Sequence, residues 1–319
     1  MFFAKRPPRR PKVLGGSTMK GKKFFLVAAA LLLIVPTLFA APILIAFSVS
    51  TTSNPFYATM AQGVKDEAAV LGYEVIILDA QNKIEKQVAD VEDALTKNIR
   101  VLLINGVDDG AIPLAQKAMA KGIPVMALQR NLGSGNMTSF IGTNNVVLGE
   151  QLIHWYAKTL QGKVSKVLIL TGTPGAASSE DRIKGISATL PKYPNIQVLA
   201  SQTGYYDRAK SLPVAENLLL RYPEAEAILC LNDEMAMGAL AAASSMSKTI
   251  KITGMDANPD ALKAVAEGKL YMTIALPPYD IGKIGVQFAK EVLAGKQVQA
   301  MKIMDVSFVT KENVGQFRK

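Results

Sequence analysis

The chain has 319 residues, 49% of them hydrophobic and 19% charged, which excludes a disordered chain and suits about two domains with cores of their own. The formal charge of +10 is typical of nucleic-acid binding, but residues 1–41 hold eight of the 36 Lys and Arg residues and no acidic residue. The remaining residues have 28 basic and 26 acidic side chains, and the basic ones form no stripe. The sequence after residue 41 therefore argues against a surface that binds nucleic-acid phosphates.

The N-terminal segment has the pattern of a secretory signal peptide. Basic residues follow Met19, an apolar stretch runs from Phe24 to Phe39, and Ala40 and Ala41 come next. We predict export by a signal peptide from Met19 to about Ala40, with residues 1–18 as an extension from an alternative start. The alternative is an uncleaved membrane anchor, because the apolar stretch approaches a spanning length. No cysteine follows it to carry a lipid, which favours the periplasm.

After residue 42, short apolar runs alternate with amphipathic segments. The first run, Ile43–Val49, precedes a helix that begins at Pro55, with Ser53 or Asn54 as N-cap, and ends at Gly72. Further strands are predicted at residues 73–78, 101–104, 124–128, 167–170, 198–200, 227–231, 250–253 and 271–274, with helices between them. Apolar runs in this order predict parallel, doubly wound sheets covered on both faces. The units are too many for one sheet, so we predict an α/β fold of two similar lobes.

The loops after the predicted strands carry polar and aromatic side chains. Ligands of such sheets bind at these carboxyl ends of the strands. Arg and Asp form charge-assisted hydrogen bonds with hydroxyls, Asn both donates and accepts, and aromatic rings cover the apolar face of a sugar. The same residue types also form turns and helix caps. For each residue on its own, ligand contact and a local structural role are both open. The candidates are Ser50, Asn54, Phe56, Tyr57, Asn105, Gln129, Arg130, Arg182, Tyr206, Asn232, Met255 and Asp256.

Two of these segments form a specific combination. They are Asn54-Pro55-Phe56 and Asn232-Asp233-Glu234-Met235-Ala236-Met237-Gly238-Ala239. With them, the chain from Ile43 to about Val309 resembles the type I periplasmic sugar-binding proteins, in particular the ribose-binding members of that family. The resemblance implies two Rossmann-like lobes joined by a three-strand hinge, with the ligand in the cleft. The implied lobes are residues 42–143 with 277–304, and residues 144–276 with 305–319.

The resemblance also implies a function and residue roles. Rings at Phe56, Tyr57 and Tyr206 are expected to clamp a sugar. The polar residues expected to hydrogen-bond with it are Asn54, Asn105, Arg130, Arg182, Asn232 and Asp256. The implied protein is a monomer without a cofactor that binds a monosaccharide by cleft closure and passes it to the membrane permease of an ABC importer. The alternative is a sensory protein that presents its closed form to a chemoreceptor or sensor kinase.

Three positions depart from the ribose-binding pattern. Gln129 stands where that pattern has Asp, Met255 where it has Phe, and Leu276, at the second crossover, where it has Gln. Losing an ionised acceptor or a polar partner weakens binding by about 1–3 kcal/mol. Two arginines then face one aspartate, and a closed site tolerates an unmatched charge poorly. We therefore expect a ligand other than ribose that supplies acceptors or negative charge: a sugar acid, a modified sugar or a small carbonyl-bearing polyol.

Enzyme signatures are not found in the sequence. The turn at residues 172–178 lacks the Lys of a phosphate loop, and there is no Gly-x-Ser-x-Gly elbow. The single His154 has no cysteine partners for a zinc site, and the single Cys230, in an apolar run, is expected to be a buried core residue. The adjacent Asp233 and Glu234 suggest N-capping and helix-dipole complementarity rather than paired catalytic carboxylates. We predict no enzymatic activity and no metal site.

Overall fold

The computed structural model describes residues 42–318, which form two six-stranded sheets flanked by helices. The first sheet contains β1 (Leu44–Val49), β2 (Glu74–Asp79), β3 (Val101–Ile104), β4 (Val125–Leu128), β5 (Ser139–Gly142) and β11 (Met301–Ile303). The second contains β6 (Ser165–Thr171), β7 (Ile196–Thr203), β8 (Ala227–Cys230), β9 (Lys251–Asp256), β10 (Met272–Ala275) and β12 (Ser307–Val309). The predicted signal peptide or membrane anchor lies outside the described residues.

Helices separate most of the consecutive strands. They are α1 (Pro55–Val70), α2 (Ile84–Ala94), α3 (Ile112–Ala120), α4 (Asn145–Leu160), α5 (Ala177–Thr189), α6 (Arg208–Arg221), α7 (Asp233–Ser245), α8 (Pro259–Ala266) and α9 (Pro278–Leu293). Short 3-10 helices occupy Asp109–Ala111, Leu190–Lys192 and Val314–Gln316. Between residues 42 and 318, no helix combines the length and the apolar character needed to cross a bilayer.

The two sheets have the same topology. The strand orders are β11-β5-β4-β3-β1-β2 and β12-β10-β9-β8-β6-β7, so each strand of one sheet has an equivalent in the other. All pairs are parallel except β10 with β12. The predicted α/β fold of two lobes is thereby confirmed. The predicted strands did not include β5, β11 and β12, because each of them contains a polar residue and none is an uninterrupted apolar run.

The chain passes between the sheets three times. It leaves the first sheet after β5, returns after β10, and crosses again between β11 and β12. The helices α4 and α9 begin directly after the first two crossovers. The carboxyl ends of the parallel strands therefore face these crossovers.

Local sequence signals account for the elements around the first of these strand ends. Asn54 is the N-cap of α1, since its side chain accepts a hydrogen bond from the backbone N–H of Phe56, and Pro55 begins the helix. Alternating residues of β1 pack on opposite faces: Ile45 and Phe47 belong to one hydrophobic cluster and Ala46 to the other. A parallel strand buried on both faces needs an apolar residue at nearly every position, as the sequence has.

Glycines allow two helix pairs to approach closely. A Cβ atom at Gly282 in α9 would lie 2.1 Å from the carbonyl oxygen of Met60 in α1, and one at Gly149 in α4 would lie 2.1 Å from that of Arg182 in α5. Any larger residue would force the helices apart. The two helices that follow crossovers, α4 and α9, are thus each packed tightly within the lobe that they enter.

Replacing Gly282 with Ala is expected to destabilise the protein, although Ala normally favours a helix interior by about 1 kcal/mol. The methyl group would collide with the backbone of α1, and overpacking typically costs about 1–3 kcal/mol. Urea unfolding followed by far-UV circular dichroism measures the change. Gly315→Ala is the matched control, because nothing lies within 4 Å of a Cβ atom there. Equal losses in both variants would contradict the close approach of α1 and α9.

Candidate functional site

Loops at the strand ends of both lobes enclose a cavity. The empty space between the lining side chains is about 270 Å3, which includes space open to the solvent. Four lining residues come from the first lobe: Asn54, Phe56, Tyr57 and Gln129. Five come from the second: Ser178, Arg182, Tyr206, Asn232 and Asp256. Both lobes therefore contribute side chains to the same small cavity.

Eight of the nine lining residues are among those singled out in the sequence. The exception is Ser178, which follows the glycine-bearing turn of residues 172–175 and shares a hydrogen bond of 3.4 Å with Tyr206. Its position in the first turn of α5, directly after the loop that follows β6, is the signal that could have identified it. The five other candidates do not line the cavity. They are Ser50, Asn105, Arg130, Met255 and Leu276.

Ser50 and Asn105 connect strand ends to one another. The Ser50 hydroxyl donates to Oδ1 of Asn105 at 2.8 Å, and Nδ2 of Asn105 donates to the carbonyl of Leu128 at 2.9 Å. Both polar groups of Asn105 are thus used within the protein, and they fix the ends of β1, β3 and β4 relative to one another. Met255 is fully buried in the hydrophobic core, because alternation along β9 gives the cavity position to Asp256.

Leu276 also lies away from the lining. It follows β10 at the second crossover, is 6% exposed and belongs to the hydrophobic core. A side chain in that position contributes packing at the crossover rather than a polar group to the cavity. For all five of these residues, direct contact with a ligand stays a prediction.

Aromatic rings from both lobes meet at the cavity. The rings of Phe56 and Tyr57 are edge to face, with centroids 5.3 Å apart. The ring of Tyr206 lies directly over Gly172, where a Cβ atom would come within 2.1 Å of Cζ of the tyrosine. Only glycine at position 172 leaves room for this ring, so the turn after β6 sets the position of the aromatic group of the second lobe.

Two asparagines have equivalent positions in the two lobes. Oδ1 of Asn54 accepts from the N–H of Phe56, and Oδ1 of Asn232 accepts from the N–H of Met235, both at 2.9 Å. Each side chain caps a helix with its oxygen, and its Nδ2 donates to no other residue between 42 and 318. Capping and ligand contact are therefore compatible roles, because the two ends of one amide serve them separately.

The helix cap at α7 corrects one expectation. Asn232, rather than Asp233, is the N-cap. Asp233 is fully buried and accepts hydrogen bonds from the hydroxyl of Thr273 at 2.6 Å and from the N–H of Asn258 at 2.8 Å. It therefore connects α7 to β10 and to the loop after β9. Glu234 forms an ion pair with Arg208 at 2.7 Å.

The two arginines flank Tyr206. Their guanidinium carbons lie 5.8 Å (Arg130) and 5.9 Å (Arg182) from its ring centroid. Arg130 donates to the carbonyl of Val107 at 2.8 Å, and its Nη2 donates to the Tyr57 hydroxyl at 2.9 Å. Arg130 thus reaches the cavity through Tyr57 and approaches a ring of the opposite lobe.

Arg182 is fixed by the helix after the first crossover. Its Nε donates to Oδ1 of Asn145 at 3.0 Å, and its Nη1 donates to the carbonyl of Leu231. Nδ2 of Asn145 donates in turn to the carbonyl of Gln129 at 3.3 Å. A chain of hydrogen bonds therefore links Gln129 in the first lobe to Arg182 in the second.

Both ends of the Gln129 side-chain amide bind Thr143 at this crossover. Nε2 donates to the Thr143 hydroxyl at 2.9 Å, and Oε1 accepts from the Thr143 N–H at 3.2 Å. The residue also lines the cavity, and its amide has one further N–H and one further lone pair. Its role in the described structure is to hold the crossover.

Several lining residues have left-handed backbone conformations without being glycine. The φ angles are 62° at Gln129, 56° at Tyr206 and 124° at Asp256. Such conformations cost about 1–3 kcal/mol each and persist where the surrounding structure enforces them, commonly at binding sites. Three of the ten non-glycine residues with such angles between residues 42 and 318 thus line the cavity.

Burial changes the acidity of the carboxyl groups of the second lobe. Desolvation raises the pKa of Asp256 to about 7, an effect that Arg182 opposes and Glu234 reinforces. Desolvation and the nearby Asp256 also raise the pKa of Asp233 well above its ordinary value. Burial likewise raises the pKa of Tyr57, although Arg130 opposes the shift, so its hydroxyl stays protonated and can donate.

His154 and Cys230, the residues considered for a zinc site or other enzymatic chemistry, contact other parts of the protein. Nδ1 of His154 lies 2.8 Å from the hydroxyl of Tyr193, and Cys230 is fully buried in β8. Within residues 42–318, no group of three or more His, Cys, Asp and Glu side chains is arranged to hold a metal ion. The chemical capacity of the cavity is thus hydrogen bonding, stacking and charge, which are the means of recognising a polar, hydroxyl-bearing molecule.

Known proteins are similar to this chain over most of its length. The family described as periplasmic binding protein domain matches residues 45–297. The ribose import binding protein of Bacillus subtilis is 40% identical over 256 residues, which cover 80% of this chain and 83% of that protein. An ABC transporter solute binding protein from Mycobacterium smegmatis, solved with bound glycerol, has a TM-score of 0.81 and 32% identity and covers 86% of this chain and 96% of its own.

A second similar structure comes from a two component system. It is the fructose binding periplasmic domain of a hybrid two component system, with a TM-score of 0.82 and 25% identity. The likeness covers 86% of this chain and 93% of that one.

The raised pKa of Asp256 predicts a pH-dependent stability. Between the unfolded value near 4 and the folded value of about 7, the folded state binds more protons, so the free energy of unfolding falls as pH rises. Asp256→Asn should remove up to about 1.4 kcal/mol per pH unit from this slope. Urea unfolding of the ligand-free protein at several pH values around 5 to 8 measures it. An identical pH slope in the wild type and the variant would show that Asp256 is ionised throughout.

Proposed function

This chain belongs to the periplasmic binding protein family, and from that membership and the cavity we propose that it binds one monosaccharide or sugar-like molecule for an ABC importer. The observation that carries the proposal is the set of polar and aromatic groups from both lobes around one cavity of about 270 Å3. The relative from Bacillus subtilis is named for ribose import, and the structure from Mycobacterium smegmatis is that of an ABC transporter component. Both names support a role in solute import.

Binding would proceed by closure of the lobes. We propose lobes of residues 42–143 with 277–304 and of residues 144–276 with 305–319, because each group contains one complete sheet. Three crossovers then form the hinge. A ligand that contacts both lobes stabilises the closed state relative to the open one, and this difference in affinity is what a partner can detect.

Within the cavity, the residues would have distinct roles. The rings of Phe56, Tyr57 and Tyr206 would cover the ligand's apolar surface, while Asn54, Asn232, Arg182 and Asp256 would bind its hydroxyls. Ser50, Asn105, Met255 and Leu276 would support the lining from outside it, whereas Arg130 and Gln129 would act at its edge. No step of catalysis is required, and we propose that the protein is a monomeric binding protein rather than an enzyme.

The proposed location is the periplasm. The pattern from Met19 to about Ala40 supports export by a signal peptide, with an uncleaved anchor as the alternative. The proposed partner is the membrane permease of an ABC transporter. A sensory role, with a chemoreceptor or sensor kinase as partner, is the second candidate, and the similar domain of a two component system favours it. Stimulation of uptake in permease-containing proteoliposomes would separate importer from sensor.

Identification of the bound molecule tests the function directly. We expect a single sugar-like compound to co-purify with the exported protein and to be released on denaturation, where mass spectrometry can identify it. Adding that compound back should raise the melting temperature, since it binds the folded state alone. If no hydroxylated small molecule raises the melting temperature, the proposed function is wrong.

Two adjacent tyrosines offer a matched test of the cavity. Tyr206 lines it, whereas Tyr205 is 42% exposed, and both have left-handed φ angles, of 56° and 58°. Tyr206→Ala should weaken ligand binding by about 1–3 kcal/mol, roughly tenfold to a hundredfold, because stacking area is lost. Tyr205→Ala should leave the affinity unchanged. Isothermal titration calorimetry with the co-purified compound measures both, and equal effects would place the ligand elsewhere.

A further inference from the structure

The cavity region contains more buried positive charge than negative charge. Arg130 and Arg182 are each 3% exposed, and among residues 42–318 neither forms an ion pair with a carboxylate. Asp256 is the only acidic residue in the lining, and the cation that acts on it is Arg182. Arg130 therefore has no carboxylate counterpart, and an unmatched buried charge is costly in a closed site.

The contacts of Arg130 satisfy its hydrogen bonding in part but not its charge. Nη1 donates to the carbonyls of Gly106 and Val107, and Nη2 donates to the hydroxyl of Tyr57. All three acceptors are neutral. Nε is buried without a partner in the described part of the chain. Neutral acceptors bind a guanidinium more weakly than a carboxylate does, so the site retains a preference for negative charge.

Tyr57 connects the Arg130 guanidinium to the cavity. Its oxygen accepts from Arg130, so its own proton is free to be donated, and the guanidinium polarises the hydroxyl into a stronger donor. Tyr57 is the lining residue that Arg130 binds. The donor next to this guanidinium is therefore the hydroxyl of Tyr57.

The remaining polar groups also favour acceptors on the ligand. Nδ2 of Asn54, Nδ2 of Asn232 and Nη2 of Arg182 donate to no other residue between 42 and 318, so the lining offers donors in excess. Opposite them, Asp256 provides the one carboxyl acceptor. Each hydroxyl of a neutral sugar also has two acceptor lone pairs, so the donors of the lining do not by themselves distinguish it from an acid, and the charge of Arg130 does.

We propose that the ligand is a monosaccharide-sized polyol with one carboxylate, and that this carboxylate accepts the proton of the Tyr57 hydroxyl at the Arg130 end of the cavity. The inference rests on the proposed function, since it names the class of molecule that the same cavity binds. One negative charge matches the one guanidinium without a counterpart, which favours an aldonic or uronic acid over a doubly charged sugar phosphate. The remaining hydroxyls would bind Asp256 and the two asparagines.

The test compares each neutral sugar with its own acid by isothermal titration calorimetry. The pairs are D-ribose with D-ribonate, D-glucose with D-gluconate and D-galactose with D-galacturonate, and D-ribose 5-phosphate is a further arm. In the pair that binds most tightly, we expect the acid to bind at least tenfold more tightly than the neutral sugar. Tighter binding of the neutral member, or of the phosphate, overturns the inference while leaving the proposed function in place. Absence of binding in every arm overturns both.

Charge variants provide an independent readout. Gln129→Glu introduces a carboxylate into the lining and can still accept from the N–H and hydroxyl of Thr143, so the crossover contacts are preserved. It should lower the affinity for the acid at least tenfold more than the affinity for the neutral sugar of the same pair. Gln197→Glu adds the same charge at an exposed position of β7 and should change neither. Equal effects of the two variants on the acid would contradict the inference.

Discussion

The structure depends on one constraint: the carboxyl ends of two parallel sheets are joined at three crossovers and face the same space. Parallel strands direct all of their following loops to one edge, so each lobe supplies its polar and aromatic side chains from a single side. Because the chain crosses beside those edges, loops from β1, β4, β8 and β9 converge although they are far apart in sequence. Each lobe then supplies about half of the lining of one cavity.

Packing and recognition are connected through the helix that follows the first crossover. Gly149 lets α4 approach the backbone of Arg182, and Asn145, at the start of the same helix, binds the Arg182 side chain. Gln129 and Thr143 complete this connection on the side of the first lobe. A substitution at the crossover would therefore displace a guanidinium of the cavity, even though it touches no ligand. Positions that support the lining and positions that form it belong to one hydrogen-bonded unit.

Hydrogen-bond satisfaction and charge balance are separate requirements in this cavity. The contacts of Arg130 go to neutral oxygens, so they satisfy its hydrogen bonds without balancing its charge. This guanidinium leaves the surroundings of Tyr206 positively charged. In a site of low dielectric constant this field extends over the whole small cavity, so it bears on the ligand's charge as well as on its hydroxyls. Selectivity within this fold can thus change without any rearrangement of the lobes.

The sequence by itself determined the fold class, most of the strands and eight of the nine lining residues, because apolar periodicity and strand-end chemistry are local properties, and because the motifs at Asn54 and Asn232 are specific. It did not reveal β5, β11 and β12, in which polar residues interrupt the apolar run. The tertiary structure alone decided that Asn105 and Ser50 bind each other, that Gln129 holds Thr143, and that Ser178 joins the lining. Partners distant in the chain compete for each polar group, and only their positions in space decide which partner it binds.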